Sequence, residues 1–139
     1  MIDKKRINNV EWTLRIGVFG VFLGHGVLAW GVKQAWIPYF TKIGFTASTA
    51  TTLLPLIGIM DIAVAFSVLI FPMRIVIMWA TFWGFVTALI RPITGEPVWD
   101  FVERAANWAA PLALLFLYGK AKDINGLFGI KTKDSYRKE

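Results

Sequence analysis

Five side chains in this sequence have the types needed for chemistry: His25, Asp61, Arg91, Glu103 and Asn107. His, Arg and Asn can donate hydrogen bonds to a ligand's carbonyl oxygens, and a carboxyl group can relay protons. All five stand in or beside apolar runs. An ionised side chain at a bilayer centre costs about 2.5–3.5 kcal/mol on insertion scales, so such groups need partners or trapped water. The plainer role for the same residues is interhelical bonding, worth about 0.6 kcal/mol per bond.

Composition narrows the chemistry further. The chain has no cysteine, which removes disulfides, thiolate nucleophiles and cysteine-ligated iron–sulfur centres built by one copy. A single histidine excludes a His-only metal site or a bis-His haem built by one copy. His25, Asp61 and Glu103 together have the donor types for a divalent cation, but their spacing across three segments assigns none. No residue is assigned a catalytic role. Redox chemistry here would require an organic carrier or a partner subunit.

The elements that carry these residues are membrane helices. Of the 139 residues 56% are hydrophobic, with seven Trp and eleven Phe, and mean hydropathy is +0.56. Apolar runs at about 12–31, 51–71 and 74–91 each approach the ~20 residues that a bilayer requires. The first follows "DKKR" but lacks a small-residue cleavage site, so it reads as a retained span. A fourth segment, "FVERAANWAAPLALL", is apolar only in its second half. To cross, its helix must begin near Trp99 and run to 118. Asp100, Glu103, Arg104 and Asn107 then form one polar stripe that has to face protein or water.

The expected architecture is therefore an all-α bundle of four transmembrane helices within residues 1–120, followed by a polar tail over 121–139. The net charge is +6. Lys and Arg cluster at both ends of the chain and at Arg74, whereas the other side holds Lys33, Lys42, Arg91 and Arg104. That asymmetry puts both termini in the cytoplasm and favours anionic lipid over nucleic acid as the charge partner. The connection at about 32–50 contains "KQAWIPYFTKIGF", in which Trp36 and Tyr39 suit a headgroup belt and a short interfacial helix. Trp99 suits the same belt.

Small residues mark where the helices should meet. "GVFLG" sets Gly20 and Gly24 beside His25, Gly58 and Ala65 flank Asp61, and Ala80, Gly84 and Thr87 lead to Arg91. Asp61 is ten residues after Thr51, roughly 15 Å deep at ~1.5 Å per residue. The polar groups should point into the bundle in one leaflet, with Asp61 either neutral or paired to His25 or Arg91.

Four short spans, Arg15 early in the first, the Gly-rich "GVFLGHG" and the aromatic loop together resemble the DoxX-like family of small bacterial membrane proteins. The resemblance covers most of the chain and implies a subunit of a bacterial inner-membrane redox complex, some members being linked to quinone-dependent sulfur oxidation. "WDFVERAANW" corresponds to no catalytic motif of the family. With that resemblance, three functions are in play. The first is a redox-complex subunit whose pocket takes a quinone, the only cofactor expected. The second is a scaffold joined to other membrane subunits or to its own copies. The third, a lipid or solute carrier, lacks the broken helix pair or inverted repeat that transport folds use.

Overall fold

Asp3 accepts a hydrogen bond from the Lys5 N–H and starts α1 (Lys4–Trp30), about two turns before the apolar run begins. A computed structural model describes residues 3–119, 121 and 124–129, and all regular structure among them is helical. A 3₁₀ turn at Gln34–Trp36 leads into α2 (Ile37–Lys42). The Thr46 hydroxyl accepts from the Thr49 N–H (3.1 Å) and opens α3 (Ala47–Ile70). Then follow α4 (Arg74–Ile93), α5 (Trp99–Val102), α6 (Ala105–Tyr118) and α7 (Asn125–Phe128). Apart from residue 121 and the 124–129 segment that holds α7, the expected 121–139 tail lies outside the described residues.

Three helices, α1, α3 and α4, are long and apolar enough to cross a membrane. Large apolar side chains such as Ile16, Leu56 and Phe82 cover their outer faces. In water such a surface would aggregate, but a bilayer solvates it. The chain is a membrane protein on that ground.

The single helix expected from Trp99 to Tyr118 is instead two pieces. Arg104 sits at φ −93°, ψ 11°, and its guanidinium binds the Asp100 carbonyl (2.8 Å), the acceptor that its own N–H would use in a continuous helix. The Arg104 N–H bonds Phe101 O instead, and the Asn107 N–H turns back to Arg104 O. The uninterrupted part, α6, has 14 residues, about 21 Å of rise.

Close backbone approaches set the packing. A Cβ on Gly58 would lie 2.5 Å from Trp30 N, and one on Gly26 would lie 2.9 Å from Gly58 O, so α1 and α3 touch backbone to backbone. The expected contact through Gly20 and Gly24 is not made; a Cβ at either would meet nothing within 4 Å. The buried face of α1 is Arg15, Val18, Phe22, Gly26 and Ala29, and Gly20 and Gly24 lie outside it. Between α4 and α6 a proline makes the corresponding contact. Pro111 cannot donate to the Asn107 carbonyl four residues back, and that carbonyl rests against Gly84, where a Cβ would come within 2.6 Å.

The result is two tight pairs, α1 on α3 and α4 on α6, joined through α1 and α6. Although α3 and α4 are neighbours in sequence, they touch little. At the end of the bundle near Arg15 and Tyr118 the space between the pairs is filled by Val18, Val64, Val68, Ile77 and Leu114. At the other end it stays open.

Candidate functional site

That opening is a cavity of about 280 Å³, walled by Phe22, Leu54, Ile57, Val86 and Ile90 and by the rings of Trp36, Tyr39, Phe40 and Trp83. It is near the lower size limit of small-molecule sites and has their composition, apolar walls with few polar groups. Of the five candidate residues, His25, Asp61, Arg91 and Asn107 line it. Glu103 does not: its side chain is 63% exposed and pairs with neighbouring Arg104, because the break before α6 turns it away. Of the candidate aromatic residues, Trp36 and Tyr39 line the cavity, and Trp99 stands 72% exposed outside it.

Each polar group reaches the cavity for a local reason. Asp61 shares the buried face of α3 with Gly58 and Ala65 and is 4% exposed. It forms no ion pair among the described residues, so of the two expected alternatives the link with His25 or Arg91 is not made. His25 is held elsewhere, its Nδ1 bonding the Val21 carbonyl (2.9 Å) and its ring stacked on Trp36 at 5.7 Å. Arg91 is engaged at the cavity's end, where Nη1 donates to the Tyr39 hydroxyl (2.8 Å) and to Glu96 Oε2 (3.0 Å).

Glu96 was not legible as a site residue, and the turn that places it explains its role. After α4 the chain makes a Schellman turn: Glu96 N–H bonds Arg91 O, Gly95 N–H bonds Pro92 O, and Gly95 takes φ 93°. Gly95 is the residue type that adopts this left-handed conformation without strain. The turn folds Glu96 back over Arg91. The Tyr39 hydroxyl donates to Glu96 Oε1 (2.7 Å), which ties α2 to the end of α4. Lys42 adds a second tie, to the Thr94 carbonyl. Burial and the bond to Glu96 push the Tyr39 phenol above its ordinary value. The Tyr39 hydrogen bond, then Arg91, hold the Glu96 carboxyl below the usual carboxylate range. At neutral pH the cluster is a neutral phenol between a carboxylate and a guanidinium.

Three cavity-side polar atoms have no hydrogen-bond partner among the protein groups described: Asp61 Oδ1, Trp83 Nε1 and Arg91 Nε. The Trp83 indole sits beside Asp61 and makes a weak hydrogen-bonding interaction with it that falls short of good geometry. Leaving such an atom unsatisfied costs about 1–3 kcal/mol. Trp83 was also missed by sequence reasoning, since a tryptophan in an apolar span reads as lipid-facing. No cluster of three or more His, Asp or Glu side chains suited to a metal ion occurs among the described residues. The cavity therefore combines aromatic walls with a few polar atoms that keep hydrogen-bonding capacity. Comparison of the chain with family models, with curated proteins and with solved structures finds no match.

Proposed function

We propose that this protein is a DoxX-like subunit of a bacterial inner-membrane redox complex, and that its cavity receives the headgroup of a quinone. The observation that carries the reading is the set of unsatisfied polar atoms on Asp61, Trp83 and Arg91 inside an otherwise apolar, aromatic cavity. Indole, guanidinium and the Asn107 amide offer donors to carbonyl oxygens, and flat rings suit a flat headgroup. An isoprenoid tail would leave between α3 and α4, which follow one another in the chain yet make little contact.

The reading includes four crossings with both termini cytoplasmic, α5 and α6 together forming the last and α2 lying in the headgroup layer. Charge asymmetry supports this direction. The contact between Tyr118 Oη and Glu11 Oε1 (2.7 Å), which brings the start of α1 beside the end of α6, fits it. The cysteine-free chain gives a direct check. A single cysteine at exposed Val98 should react with an impermeant reagent from outside, and one at Ser135 only after the membrane is opened.

A scaffold is the second reading, and one observation favours it. Gly17, Gly20 and Gly24 present an open small-residue face on α1, of the kind on which membrane helices dock. Native mass spectrometry of the protein purified with its lipids separates the two. Stoichiometric quinone supports the first reading; a stable complex with a partner or a second copy, free of quinone, supports the scaffold.

A further inference from the structure

One wall of the cavity is held differently from the others. Trp36, Tyr39, Phe40 and Ile43 all line it, so the 3₁₀ turn and α2 close one side. None of residues 34–43 is buried, whereas α1, α3 and α4 each bury a face in the bundle. The backbone of α2 rests against α3 and scarcely approaches α4. Side chains span that gap. The Tyr39 hydroxyl donates to Glu96 Oε1 (2.7 Å) and accepts from Arg91 Nη1 (2.8 Å), and Lys42 reaches the Thr94 carbonyl.

Both ends of this wall have backbone suited to a pivot. The helix α1 ends in a Schellman turn, with the Lys33 N–H on Leu28 O and the Val32 N–H on Ala29 O. The left-handed position of that turn, φ 50°, is held by Val32, a β-branched residue that disfavours it. After α2 the chain turns through Gly44 at φ 101°, a conformation that glycine takes freely. Strained or permissive residues at element ends are where chains absorb the dihedral changes of a hinge.

We propose that residues 33–43 form a lid over the cavity, pivoting at Val32 and Gly44 and latched to the end of α4 through the Tyr39 hydroxyl. Release of that hydroxyl opens the cavity toward the surface and gates passage of whatever ligand it takes. The segment contributes nothing to the closed core of Val18, Val64, Ile77 and Leu114, so it can swing without disturbing the helix pairs. The inference rests on the geometry of the cavity wall and not on the identity of the ligand.

The chain has no cysteine, so Thr87→Cys places a single thiol in the cavity. The exchange is mild, because the Thr87 hydroxyl bonds carbonyls of its own helix. The full-length protein in lipid nanodiscs is treated with a charged, water-soluble methanethiosulfonate, and the labelling rate is read. Adding Tyr39→Phe keeps the ring beside Arg91 and removes the hydroxyl alone. Labelling should then become about tenfold faster, the factor that one net hydrogen bond supplies. Ala80→Cys, in the closed core, should label at one slow rate with or without that hydroxyl. An unchanged rate at Thr87→Cys overturns the lid. Equal acceleration at Ala80→Cys overturns it too, by making Tyr39 a brace of the whole bundle.

Discussion

At the end of the bundle where α1 begins and α6 finishes, each arginine closes the structure. Buried Arg15 donates Nε to the Val68 carbonyl (3.1 Å) and a second nitrogen to Leu69 O, pairs with Glu11 and lies over the Trp12 ring at 4.3 Å. Those carbonyls are the orphaned acceptors at the end of α3. Arg74 does the same for α6, bonding Tyr118 O (2.8 Å) and Gly119 O. At the opposite end the same kinds of residue surround a cavity, and Asp61, Trp83 and Arg91 keep unused capacity. Intramembrane polarity alone does not mark a site. The distinguishing feature is whether the polar atoms are already satisfied by the fold.

Breaking the closed end should have the largest effect. Arg15→Met leaves Glu11 short of one cation and two helix-end carbonyls short of donors, and a loss of about 3–5 kcal/mol is expected, as for a broken buried pair. Thermal unfolding in detergent should show it as a large fall in midpoint. An unchanged midpoint would mean that this end is not the structural clamp.

Next comes the joint between α4 and α6. Gly84→Ala drives a methyl toward the Asn107 carbonyl and should destabilise by about 1–3 kcal/mol through overpacking. The same unfolding assay checks it, and wild-type stability would show that the helices separate freely.

These two effects also show how much the sequence disclosed. The positions of the three long apolar helices and the inward facing of Asp61 were readable, because twenty apolar residues and a buried carboxyl group have few solutions in lipid. Helix pairing was not. "GVFLG" advertised Gly20 and Gly24, while the contact is made by Gly26 and Gly58, and only the crossing geometry decides which glycines meet. The break at Arg104 was hidden too, because a side chain that takes a helical acceptor leaves the residue pattern unchanged. Glu96 had a signal in "TGE", a glycine able to turn the chain back over the last helical turn, but no sequence rule says that Tyr39 will arrive there.

Asp61→Leu reverses the sign expected for a paired residue. With no ion-pair partner to strand, removing the carboxyl should leave detergent stability unchanged or raise it by about 1 kcal/mol. A loss of several kcal/mol would reveal a partner and make the two ends alike.

The smallest effect is expected from pH. Because the Glu96 pKa is lowered by Tyr39 and Arg91, its contribution is present above the ordinary carboxylate value and is lost as pH falls through the depressed one. Acidification to that range should loosen α2, seen as lower protection of the Ile37–Lys42 amides against hydrogen exchange relative to their intrinsic rates, and Glu96→Gln should show the same lowered protection already at neutral pH. Protection that ignores pH would remove the Tyr39–Glu96 tie from the account.

The central claim is that the open end, and not the closed one or the lipid-facing surface, is where a ligand sits. An azido-substituted benzoquinone, photolysed with the protein in nanodiscs and mapped by peptide mass spectrometry, tests it most directly. The account predicts adducts on Trp36, Tyr39 and Trp83, suppressed by excess unlabelled quinone. Adducts confined to the outward-facing groove of Met78, Trp79 and Phe82, or labelling that competitor does not reduce, would contradict it.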